Sequence, residues 1–333
     1  MRMLVAVLAL VLAPLAHAQQ PSPYAIDIPA WFTETFLDFR EDVADAAREG
    51  KRLMLYFGQD GCPYCKQLMV VNFSQRSIVE KTRKNFVAIA LNIWGDRETH
   101  WIDGRSRTEK ELARFLDVQF TPTLLFLDEH AKVVARLDGY YPPQKFEAVL
   151  DYVANRMENK VPLADYVRQA AQAPASPRQN DQSFFLPPPY DLRRKADAKP
   201  LAVIFETTDC AACDEMHRDA FTRPEVLAQV AHFDVVRLAL GAPTPLLTPD
   251  GRASTAGAWA RELGITYTPS VVFFGAHGAE VFRVRAYVRP FHLASAFDYV
   301  ASGAYREEPS FQRFIQQRAE RIREEGGSVD LWK

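Results

Sequence analysis

The chain has 333 residues, enough for two ordinary domains, and its composition of 48% hydrophobic and 25% charged residues is that of a globular protein. A formal net charge of −2, with no basic patch that stands out, argues against nucleic acid or an anionic membrane surface as the main partner, since both require a basic face. The four cysteines fall in two CxxC pairs, so chemistry at two places competes with a stapling role.

The chain opens MRMLVAVLALVLAPLAHAQQ: one Arg, an apolar run from Leu4 to Leu15, then Ala16-His17-Ala18 in a small-x-small pattern. This reads as a secretory signal peptide over residues 1–18, cut after Ala18. A membrane anchor is the other reading, but spanning takes about 20 apolar residues and this run is shorter and interrupted by Pro14. The expected location is the periplasm, where disulfides persist, with nothing left to span a membrane after cleavage.

The remainder reads as the same unit written twice, over residues 24–158 and 190–305. In the first copy an apolar strand, LMLYF at 53–57, leads to Cys62 and Cys65, and the residues after them read as helix. A second strand, FVAIALNI, precedes a polar insert and the helix TEKELARFLDV. Thr121-Pro122 then feeds two strands close enough to form a hairpin, and a helix from PQKFEAVLDYVANRM closes the unit. The second copy runs LAVIF, Cys210 and Cys213, FDVVRLAL, TAGAWARELGI, Thr268-Pro269, SVVFFGAHGAEVFRV and PFHLASAFDYVASGA. Aligning Cys62 with Cys210 also brings Phe73 onto Phe221 and, after a one-residue gap, Val134 onto Val281, Tyr140 onto Tyr287 and Pro143 onto Pro290.

Alternating strands and helices imply an α/β fold: two tandem domains, each with a mainly parallel sheet made mixed by the hairpin, and helices on both faces. Residues 159–189, rich in Ala, Gln and Pro with prolines at 187–189, read as a semi-rigid linker, its Phe184 and Phe185 packing against one domain. The tail 306–333 reads as an amphipathic helix with Phe311, Phe314 and Ile315 on one side, docked on the second domain.

Three readings compete for the cysteines. A shared zinc site needs four converging ligands, whereas the pairs occupy equivalent places in two repeats with no further ligand at zinc spacing. A structural disulfide across two residues closes so short a loop that it removes little unfolded-state entropy. The redox reading accounts for more. A Cys where a strand ends and a helix begins faces unpaired N–H groups, which favours its thiolate, and Pro63 suits the first helical position. Cys62 and Cys210 are thus the expected attackers; Cys65 and Cys213, one turn deeper, resolve the mixed disulfide. No metal and no cofactor is expected.

With Pro122 following Cys62 by 60 positions and Pro269 following Cys210 by 59, the chain resembles the thioredoxin superfamily over essentially its whole mature length. The resemblance implies that Pro122 and Pro269 are cis, and that the backbone of Thr121 and Thr268 pairs with an extended substrate strand. The long insert and the leader look most like the periplasmic SoxW-like thioredoxins. The implied activity is thiol-disulfide exchange with protein thiols and disulfides, in the reductive direction, fed by a membrane or periplasmic electron donor. A peptide-binding chaperone or assembly factor using the same groove is the alternative.

The chain departs from thioredoxin where that protein has a buried acid six positions before the CxxC: here stand Tyr56 and Ile204. Glu206 is a candidate replacement in the second copy, competing with its reading as a solvated strand-end carboxylate. CPYC carries the dipeptide of glutaredoxins, and CAAC marks no single branch. Lys66 follows the first pair, Asp214 and Glu215 the second, and Asp60 and Asp209 precede them. A cation favours a thiolate and anions oppose it, so Cys62 is expected to have the lower pKa and its pair to be the more oxidising, unless screening makes the sites equal. His217 is expected at the surface, out of reach of the chemistry. Trp94 and Trp101 are expected to pack the core or cover the insert rather than line a groove.

Overall fold

The computed structural model describes residues 26–170, 180–195, 197–208 and 210–329. The expected signal peptide, residues 171–179 of the expected linker and Asp209 lie outside the described residues. Among those described, no helix is long and apolar enough to cross a membrane.

Asp38 starts the first domain by capping helix α1 (Phe39–Arg48), its carboxylate accepting from the N–H groups of Arg40 and Glu41. The chain continues through β1 (Arg52–Gly58), α2 (Pro63–Gln67) with a π turn at Leu68–Asn72, α3 (Arg76–Asn85) and β2 (Phe86–Asn92). The insert forms a small hairpin, β3 (Glu98–His100) and β4 (Ser106–Thr108), followed by α4 (Glu109–Phe115), whose start is fixed by a capping box between Thr108 and Glu111. Then come β5 (Thr123–Leu127), β6 (Val133–Asp138), α5 (Pro143–Ala154) and α6 (Leu163–Ala170).

The second domain repeats this order from its central strand onward, but opens on a short strand instead of a helix. It has β7 (Tyr190–Asp191), β8 (Leu201–Glu206), α7 (Ala211–Arg218), α8 (Pro224–Val230), β9 (Asp234–Ala239), β10 (Pro245–Leu247) and β11 (Ala253–Thr255). After these follow α9 (Ala256–Glu262), β12 (Ser270–Phe274), β13 (Glu280–Val284), α10 (Pro290–Ala301) and finally α11 (Phe311–Glu324).

Each domain has a four-stranded mixed sheet, ordered β2-β1-β5-β6 in the first and β13-β12-β8-β9 in the second. The expectation of a mainly parallel sheet does not hold. Within these four-stranded sheets only β1 with β2 and β8 with β9 run parallel, while β5 and β12 lie antiparallel to their central neighbours. The insert and the short α4 leave the chain at the end of the sheet where β2 exits, so β5 re-enters from that end. Both faces of each sheet are covered, because alternate side chains point to opposite sides. Met54, Tyr56 and Phe126 join one cluster and Leu53, Leu55 and Phe57 the other; Ile204 and Phe273 are separated from Val203 and Phe205 in the same way.

The first domain extends past its expected end. Helix α6 lies inside the stretch read as linker, and its Leu163 and Val167, four apart on one face, are buried in the first core. Pro162 stands just before this helix and the next proline is Pro174, so no proline interrupts the chain across α6 itself. At the other end Phe184 and Phe185 pack on the second domain, where the Leu186 N–H donates to the Val235 carbonyl at 2.8 Å.

The two domains meet through equivalent surfaces related by an approximate two-fold. β5 and α5 map onto β12 and α10 with a constant shift of 147 positions. Phe120, just before Thr121, inserts into the second domain beside Phe282 and Phe311, at ring distances of 6.0 and 5.3 Å. Its counterpart Tyr267 packs against Tyr141 of the first domain at 5.6 Å. Using one patch twice is the geometry of a symmetric dimer, here within one chain. Helix α11 docks on the second domain as expected, and also reaches the first: Gln312 donates to the Gln119 carbonyl and accepts from Gln59, both at 2.8 Å.

Candidate active site

Strand β1 is buried along its whole length and delivers the chain to a turn in which Gly61 has φ +74°, a conformation that favours glycine. Cys62 follows at the helix N-cap with Pro63 in the first helical position, and its Sγ accepts the Cys65 N–H at 3.0 Å. Cys210 caps α7 in the same way, accepting the Cys213 N–H at 3.1 Å. Each pair is closed as a disulfide within its own domain, Cys62 to Cys65 and Cys210 to Cys213. A thiolate at either capping position would keep that N–H donor, which is the local reason for a nucleophilic sulfur there.

The Thr-Pro segments lie beside the sulfurs. The Thr121–Pro122 and Thr268–Pro269 peptides are cis, and the Thr121 carbonyl oxygen is 3.5 Å from Cys62 Sγ. Thr121 is held by Gln59, whose Nε2 donates to Thr121 Oγ1 at 3.1 Å. At the equivalent place in the second domain, the hydroxyls of Thr207 and Thr268 are 3.2 Å apart.

Both sites open into one cavity of about 530 Å3 between the domains, lined by Cys62, Thr121, Cys210 and Thr268 together. Cys65 and Cys213 are buried behind it. Two polar residues at equivalent positions of α5 and α10 also line the cavity, Lys145 and His292. Burial pushes the Lys145 ammonium down, against the attraction of Glu215. It also pushes the His292 imidazole down to about 4, and His292 Nδ1 is buried without a hydrogen-bond partner among the described residues. The His292 ring stands edge-on to Tyr64 at 5.2 Å, and the Tyr64 phenol is itself pushed up by burial.

The charge contrast between the two sites is smaller than the sequence suggests. Glu215 pairs with Arg289 at 3.0 Å, and Asp214 accepts from Asn180 at 2.7 Å. A cation from elsewhere in the fold thus offsets Glu215, while a neutral amide hydrogen-bonds Asp214.

Two expectations are corrected beneath the second pair. His217 is not a surface residue but 4% exposed, and Glu206 is not a solvated strand end but 1% exposed. The two side chains meet at 2.7 Å, Nε2 to Oε1, and Gln182 approaches His217 Nδ1 at 3.1 Å. His217 follows Cys213 by four residues, which places both on the buried face of α7; counting from Cys213 rather than Cys210 would have revealed this. In the first domain Gly58 and Met69 stand at the equivalent positions, and the buried Tyr56 hydroxyl has no partner among the described residues. Trp101 is core, edge-on to Phe39 at 5.4 Å, whereas Trp94 sits at the domain interface, donating to Gln59 with Arg313 above its ring.

Two copies of one mixed α/β fold, each with a Cys-X-X-Cys disulfide capping a helix beside a Thr-Pro peptide, define the class as tandem thioredoxin-fold domains. The thioredoxin-like domain family matches residues 39–154 and again 193–301, and the chain belongs to it. No curated protein matches the chain. Among solved structures, it is similar to a thioredoxin-fold protein from Helicobacter pylori, at 23% identity over 41% of this chain and 96% of that one, with a TM-score of 0.33. A thioredoxin from Thermus thermophilus is 29% identical over 35% and 83% of the two chains, with a TM-score of 0.28. A putative disulphide-isomerase from Bacteroides thetaiotaomicron is 24% identical over 43% and 98%, with a TM-score of 0.30.

Proposed function

We propose that the protein is a periplasmic thiol-disulfide oxidoreductase that reduces disulfides in protein substrates through Cys62/Cys65 and Cys210/Cys213. The observation that carries this reading is the repeated cap geometry: in each domain the outer sulfur accepts the N–H of the inner cysteine, and the inner sulfur is buried one turn behind it. Attack by the outer thiolate forms a mixed disulfide with substrate; the inner cysteine then displaces the substrate thiol. The backbone of Thr121 and Thr268 is the proposed docking edge for the substrate strand. The leader-like first 18 residues support the periplasmic assignment, and a SoxW-like role rests on that leader and the long insert. The electrons come from a membrane or periplasmic dithiol donor.

Insulin reduction by the wild type, Cys62→Ser, Cys210→Ser and the double variant tests the activity. The expected outcome is a loss in each single variant and none left in the double. A chaperone or assembly factor would keep its function without either thiol.

A further inference from the structure

Cys62 and Cys210 face the same cavity and are only 4% and 9% exposed. The interface that sets them there is continuous with both cores, through Phe120 in the second domain and Tyr267 in the first. Arg289 touches both motif helices. Its backbone hydrogen-bonds the phenol of Tyr64, which lies between Cys62 and Cys65, and its guanidinium pairs with Glu215, two residues beyond Cys213. Two identical outward-facing sites would need no such arrangement.

We propose that the two pairs exchange a disulfide directly with each other across the cavity, so that the chain is an intramolecular electron relay. The step rests on the redox activity proposed above. With the second pair reduced and the first oxidised, Cys210 releases its proton and the resulting thiolate attacks Cys62 Sγ. The Cys62–Cys65 bond breaks, Cys65 leaves as a thiolate and takes up a proton, and a Cys62–Cys210 disulfide forms. Cys213, having released its proton, then attacks Cys210 Sγ and expels Cys62 as a thiolate, which is protonated in turn. Two electrons and two protons have passed from the second pair to the first, and the reverse transfer follows the same path. An external dithiol at one pair and a protein disulfide at the other, the reactants of the proposed function, complete the cycle. To meet, the two outer sulfurs close across the cavity that both line.

The test is trapping. Cys65→Ser/Cys213→Ser leaves the two outer thiols alone in the otherwise full chain. The reduced variant is treated with one equivalent of 5,5′-dithiobis(2-nitrobenzoate), its fold is checked by circular dichroism, and its peptides are mapped without reduction. The corresponding alanine variant replaces it if the serine form does not fold. The expected result is a Cys62–Cys210 peptide in most chains and two thiophenolates released per chain, unchanged on about tenfold dilution because the second step is intramolecular. One thiophenolate released per chain, with a mixed disulfide left at Cys62 or Cys210 and no such peptide, or crosslinks only between chains, would overturn the relay and leave the redox function standing. Thiols that never react with the reagent in the folded chain would overturn both.

Discussion

Asp138 and Arg285 occupy the same position in the two domains, one at the end of β6 and the other just past β13, and they pair with each other across the interface at 3.4 Å. Their surroundings differ. Asp138 also accepts from Arg136 and from Thr123, both at 3.0 Å, and is 3% exposed; Arg285 is more open and pairs with Asp117 as well, at 3.1 Å. Removing the acid therefore leaves two guanidinium groups short of a partner, whereas removing the base leaves Asp138 satisfied. Asp138→Ala should cost about 3 kcal/mol in urea unfolding and Arg285→Ala about 1 kcal/mol. Equal costs would show that the pair contributes symmetrically and that the surrounding network does not matter.

Phe120 belongs to the chain of the first domain but to the core of the second. Phe120→Ala should destabilise by about 3 to 5 kcal/mol, the range for removing a buried aromatic ring. Hydrogen exchange should place the lost protection around β13 and α11, beside Phe282 and Phe311, as much as around the Thr121–Pro122 segment. Protection lost only in the first domain would contradict the shared core.

Glu206 and His217 distinguish the second site from the first. His217 shares the buried face of α7 with Cys213, and its contact with Glu206 makes the pair a candidate route for the proton of the resolving thiol. In a chain carrying only the second pair, Glu206→Gln should slow reaction with a dithiol substrate by about tenfold or more. The same substitution in a chain carrying only the first pair should leave its rate alone. A slowing in both would mark Glu206 as structural.

His292 gives a pH dependence of defined sign. Its imidazole titrates near 6.5 when unfolded and at about 4 when folded, because burial opposes the charged form. The unfolded chain binds the extra proton in between, so this contribution is complete above 6.5 and is lost as pH falls towards 4, about 3 kcal/mol in all. Asp42 works in the opposite sense: burial raises its carboxyl from 3.8 to about 6, so its contribution is complete below 3.8 and is lost as pH rises through 6. The comparison of wild type with His292→Gln isolates the imidazole. The variant's stability should fall less steeply between pH 6.5 and 4.5, and parallel curves would contradict the assignment.

The repeat, the strand-to-helix junctions at Cys62 and Cys210 and the Thr-Pro segments were legible because each leaves a local mark: an apolar run, a breaker, a fixed spacing. The end of the first domain was missed because α6 precedes the prolines that suggested a linker. His217 was misplaced because its burial depends on Glu206, eleven positions earlier on another element, and an isolated histidine carries no sign of its partner. The facing of the two sites was hidden for a different reason. Aromatic residues before a Thr-Pro read as ordinary core, and only the fold shows that Phe120 and Tyr267 fill each other's domains. One sign was available: the alignment puts Asp138 opposite Arg285, a change of charge at one repeated position, as two faces of the same patch require in order to attract.

The central claim is that both CxxC disulfides are working redox couples and not staples. The direct test is the reduction potential of each pair, measured against glutathione or dithiothreitol buffers in chains where the other pair is replaced by serine. Both couples should fall within the span of redox-active dithiols, from about −270 to about −120 mV. A potential below about −300 mV at either pair, the range of structural disulfides, would contradict the account for that domain.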